Sequence, residues 1–95
     1  MKVRTQDLRA FADVLFQHLE NTGRSEIDIP HDYYWKVEAS DVFDPMTDPS
    51  NINLGQLSDD LSELQSIADG NMPPVGLALV WLSSILRAVG EEAGY

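Results

Sequence analysis

Cysteine is missing from all 95 residues, which excludes disulfides, thiolate metal sites and cysteine nucleophiles together. Basic residues are scarce: Lys2, Arg4, Arg9, Arg24, Lys36 and Arg87 stand scattered among sixteen Asp and Glu, for a formal net charge of -10. A phosphate backbone is gripped by clustered Lys and Arg that displace its counterions, so this field disfavours nucleic acid as a partner and anionic membranes with it. A basic protein surface is attracted instead, and the same charge also serves solubility. Long hydrophobic runs are lacking too. Residues 70 to 86 carry no charge, yet Pro73, Pro74, Gly76, Ser83 and Ser84 confine the unbroken apolar run to Leu77 through Leu82, far short of the roughly twenty residues a bilayer needs. The N-terminus has charges at Asp7, Arg9 and Asp13 where a secretory signal needs an apolar centre, so the expected location is cytoplasmic.

The motifs of common chemistries are equally absent. His18 and His31 are the only histidines, and neither begins an HExxH pattern. No Gly-x-Ser-x-Gly elbow, phosphate-binding loop or dinucleotide glycine motif occurs. Asp41, Asp44 and Asp48, with Ser50 and Asn51, offer oxygen ligands, but Pro45 and Pro49 interrupt them and no EF-hand spacing is present. The expectation is a chain that is not an enzyme, with no catalytic, cofactor-binding or metal residue. The alternative is a small metal-dependent hydrolase built on the loop carboxylates and His31.

What is present is an apolar fraction of 43%, enough for one folded domain over 1–95, with no internal repeat. A first helix is expected over Gln6–Glu20 with Thr5 as its cap. Its face of Leu8, Phe11, Ala12, Leu15 and Leu19 recurs at helical spacing, and Gly23 lies where a left-handed terminus is wanted. Pro30 can open a short helical turn carrying Tyr33, Tyr34 and Trp35. Residues 38 to 51 read as a long acidic loop. Asn53 as cap, Gln56 three residues on, and Ile52 placed to staple onto Leu57 predict a third helix starting at Asn53. Its apolar face would be Leu54, Leu57, Leu61, Leu64 and Ala68, with Asp59, Asp60 and Glu63 an acidic stripe in solvent. After the break Asp69–Pro74 a last helix runs to about Val89, apolar around most of its circumference. It needs neighbours on several sides, from the same chain or from a second copy.

The tract Leu54–Leu61, preceded by Asp32-Tyr33-Tyr34-Trp35, resembles small uncharacterised bacterial proteins that have no assigned activity, over about half the chain. A looser similarity is to colicin immunity proteins, small acidic helical inhibitors that use a Tyr-Tyr pair beside acids to bind a basic enzyme. Here Tyr33-Tyr34 precedes both long C-terminal helices, unlike that family's order, and Trp35 stands where it has proline. The resulting expectation is an all-α domain: a small bundle of three main helices plus a short helical turn, with a long acidic loop. Its function would be protein–protein interaction. Asp41, Asp44, Asp59, Asp60 and Glu63 would steer a basic partner, and Tyr33, Tyr34 or Trp35 would be buried at the contact. The same rings are also what a small domain packs at the edge of its core, leaving at least one partly exposed. An immunity-like inhibitor of a basic enzyme, or a homodimer with the last helix as its seam, are the other readings.

Overall fold

The aromatic tract is a strand. In the computed structural model, which describes residues 1–49 and 51–94, the order is α1 (Thr5–Asn21), β1 (Tyr33–Val37), α2 (Ala39–Val42), β2 (Ile52–Gln56), α3 (Leu57–Ala68) and α4 (Val75–Ala93). β1 and β2 pair antiparallel, with Tyr33 opposite Gln56, Tyr34 opposite Gly55, Trp35 opposite Leu54, Lys36 opposite Asn53 and Val37 opposite Ile52. The all-α expectation is therefore corrected to a mixed α and β fold. The physical reason lies in the side chains: aromatic Tyr and Trp and β-branched Val, which pack well on a pleated surface, fill four of five positions of β1. The cap and staple pattern read at Ile52, Asn53 and Gln56 belongs instead to β2.

The helix ends follow local rules. α1 begins one residue earlier than expected, and Arg4 rather than Thr5 precedes it, with no side-chain cap. Gly70, at φ 92°, ends α3. Its N–H donates to the carbonyl of Ile67, and the next N–H, of Asn71, reaches back to Ser66, the double closure that a left-handed residue permits at a helix end. Gly23 closes α1 in the same way, onto Glu20 and Leu19. α4 starts after Pro74 and continues through Gly90 to Ala93, beyond the expected stop. The acidic loop holds one helical turn, α2, and its base is tied by Asn51 Nδ2 donating to Glu38 Oε1 at 3.1 Å. Ser50 lies outside the described residues.

α3 and α4 form an antiparallel hairpin: Asp60 near the start of α3 meets Ser84, while Ile67 and Val75 at the other end line one cleft. The ribbon of β1 and β2 leads directly into α3. Against this half, α1 is loosely attached. Arg24, just after it, donates from Nη1 to the carbonyl of Ala93 at 2.8 Å, but Leu8, Phe11 and Leu15 of its apolar face each stay more than half exposed. Among the described residues only Leu57, Ala78 and Ala88 are buried apolar side chains. Of the two sources of cover left open for α4, its own chain supplies only part, since Val75, Leu79 and Val80 are also more than half exposed. Among the described residues no helix is long and apolar enough to cross a membrane.

Candidate functional site

Alternation along β1 puts Tyr34 and Lys36 on one face and Tyr33, Trp35 and Val37 on the other. Cross-strand pairing then fixes the neighbours of each. Tyr34 faces Gly55, and its ring occupies the space a side chain there would take: a Cβ built on Gly55 would lie 2.2 Å from Tyr34 Cζ. With the ring laid over bare backbone, the phenol reaches α3 and donates to Asp60 Oδ2 at 2.6 Å. Ser84 Oγ lies 2.5 Å from the same oxygen and 2.7 Å from the carbonyl of Trp81. Its single proton goes to the carboxylate, the stronger acceptor. Asp60 is thus 8% exposed and fastens ribbon, α3 and α4 at one point.

That geometry corrects the expected role of Asp60. The helical wheel set it with Asp59 and Glu63 in solvent, and Asp59 and Glu63 are indeed exposed. Tertiary approach of Tyr34 and Ser84 covers Asp60 and engages its Oδ2 twice, so this carboxylate is not presented to solvent as the wheel expected. Tyr34 is likewise engaged inside the fold. Burial first, and then the bond to Asp60, push its phenol above the ordinary tyrosine range.

A second polar junction caps α3. No side chain of Gln56, the residue preceding the helix, satisfies its first amides. Asp32, at the foot of β1, does so from across the ribbon. Its Oδ1 accepts from the Ser58 N–H at 2.7 Å, its Oδ2 accepts from Ser58 Oγ at 2.9 Å and from Gln56 Nε2 at 2.7 Å, and its carbonyl accepts from the Leu57 N–H at 2.7 Å. The Gln56 amide, and next the Ser58 N–H, hold the Asp32 carboxyl below the ordinary carboxylate range. Helix capping by a residue 25 positions upstream is invisible to a local reading.

The other ribbon face is where unsatisfied surface lies. Tyr33 is 62% exposed and Trp35 73%, with Leu54 and Ile52 beside them on β2 also more than half exposed. The Tyr34 and Lys36 side of the ribbon borders a groove of about 920 Å³ against α4, whose lining also takes in His31, Tyr33 and Trp35 and whose charged residues are Lys36, Arg87, Glu91 and Glu92. Arg87 and Glu91 pair along α4 at 3.4 Å. Asp41, Asp44, Asp59 and Glu63 are not among the lining residues. Asp41 is half-buried in α2 and Asp44 accepts the N–H of Met46 at 3.1 Å in a local turn. The structure therefore gathers the rings and not the acids. Among the described residues no three His, Asp or Glu side chains converge into a group that could hold a metal ion. The chain matches no protein-family model, no curated protein and no solved structure.

Proposed function

We propose that the chain is a cytoplasmic protein–protein interaction module that docks a basic protein through the exposed face of its ribbon. The observation that supports this reading is the pairing of Trp35 with Leu54, flanked by Tyr33 and Ile52, all left in water on one face. Tyr and Trp contribute much buried area at small cost in side-chain entropy, and they dominate the residues whose truncation weakens an interface. Long-range attraction comes from the net charge of -10 as a whole, with exposed Asp44, Asp59 and Glu63 contributing at the surface and Asp60 taking no part. Docking then buries Trp35 and Tyr33 against the partner.

The test is an affinity capture from lysate at low and moderate salt, comparing wild type with Tyr33→Ala/Trp35→Ala. Tyr34 is kept, because its loss would confound folding with binding. A basic protein retained by wild type, released by salt and bound at least about tenfold more weakly by the variant is the expected result. A partner bound equally by a well-folded variant would overturn the assignment of this face.

A further inference from the structure

Two apolar surfaces elsewhere in the chain are left without cover. One is the stripe of Leu8, Phe11 and Leu15 on α1. The other is the exposed side of α4 together with a cleft of about 240 Å³ between α3 and α4, lined by Leu64, Ile67, Met72, Val75, Leu79 and Leu82 around Ala78. We propose that a second copy of this chain covers both, forming a two-fold dimer in which α1 of each protomer lies on the α3–α4 cleft of the other.

The area argues for an occupant of this size. A folded monomer of 10.6 kDa should expose about 5,500 Å² by the usual scaling of surface with mass, and this chain exposes 7886 Å². The excess of roughly 2,400 Å² is shared by the open ribbon face and the acidic loop, and it leaves room for the roughly 1,000–2,500 Å² that an obligate homodimer removes from each protomer. A radius of gyration of 15.0 Å, against about 12.4 Å for a closed domain of this length, shows the same incompleteness. Scattered apolar residues are normal on a monomer, but here Leu8, Phe11 and Leu15 share one face of α1, and Val75, Leu79 and Val80 stand exposed along α4.

Charge identifies the occupant. Residues 70 to 86 contain no Asp, Glu, Lys or Arg, so the exposed side of α4 offers a basic partner nothing to pair with. Self-association of a chain of net charge -10 meets least repulsion where one side of the contact is uncharged, as residues 70 to 86 are. The chain carries both parts such a contact needs, a row of Leu and Phe on α1 and an apolar cleft between α3 and α4. Two-fold symmetry uses each pair twice.

This proposal concerns a different face from the partner-docking ribbon, and the experiment separates them. Sedimentation equilibrium and thermal unfolding of the full chain, from about 1 to about 100 μM, should give a species of twice the 10.6 kDa chain mass and a Tm that rises with concentration, as dissociation-coupled unfolding requires. Phe11→Glu and Leu79→Glu should each abolish the doubled mass, while Trp35→Ala should keep it. Should either Glu variant fail to fold, the wild-type concentration dependence still decides. A 10.6 kDa species with a concentration-independent Tm overturns the dimer, and doubled mass that survives both folded Glu variants overturns the assigned faces, whatever Trp35→Ala does.

Discussion

Gly55→Ala should be among the most damaging single-methyl additions in this chain. The backbone there is not left-handed, so alanine meets no conformational strain of its own. The obstacle is the Tyr34 ring: the new Cβ would sit 2.2 Å from Cζ and 2.6 Å from each Cε, well inside van der Waals contact. The ring must leave, and with it goes the 2.6 Å bond to Asp60, leaving that buried carboxylate held by Ser84 alone. A hydrogen bond to a charged group contributes about 1.5–3 kcal/mol. Loss of the ring's packing brings the expected total to about 2–4 kcal/mol. For a domain of this length that is a fall in Tm of roughly 10–25 °C. The diagnostic is the double variant. In a Tyr34→Ala background the space is vacant, and Gly55→Ala should become neutral or stabilise by about 0.5 kcal/mol, because alanine loses less backbone entropy than glycine. Urea unfolding followed by circular dichroism at one fixed chain concentration measures all four corners of the cycle. Equal cost of Gly55→Ala in both backgrounds, or none in either, would refute the account of how the ribbon is fastened.

The remaining predictions concern the two polar junctions. Tyr34, whose phenol is raised above its ordinary value near 10, contributes stability that is present below that value and lost as pH rises through the folded one. Tyr34→Phe should be less stable than wild type at pH 8 and converge with it at the alkaline end, and its difference spectrum should remove the phenol that ionises late. Asp32 is lowered from 3.8, so its contribution is present above that pH and lost as pH falls through the folded value. Asp32→Asn should cap Ser58 through its amide oxygen yet flatten the stability difference between pH 5 and pH 2, read by thermal melts across that range.

Much of α1, α3 and α4 was legible in the sequence because helix periodicity and helix termini are local. Leu8, Phe11, Ala12, Leu15 and Leu19 recur at helical spacing, Gly23 and Gly70 stop their helices, and Pro74 begins the next. The ribbon was not legible for the opposite reason. β1 and β2 are five residues each, separated by the acidic loop, and their hydrogen bonds exist only once both are brought together. Ile52, Asn53 and Gln56 also satisfied a helix-start pattern, and nothing local ranked that below a strand. One signal was available: a glycine inside a short apolar segment marks close approach of another group, and Gly55 meets Tyr34 for that reason. Asp60 was misplaced because a helical wheel reports direction and not what arrives from that direction.

The net charge and the uncovered apolar faces have separate consequences, and salt tells them apart. Screening weakens attraction between a chain of net charge -10 and a basic partner, and it also weakens repulsion between two such chains. Raising ionic strength should therefore release a protein held at the ribbon while tightening an assembly through α1 and α4. A single surface serving both purposes could not respond with both signs. Residues 70 to 86, which form most of the α4 side of the proposed contact, contain no acid, so salt has little direct attraction to screen there.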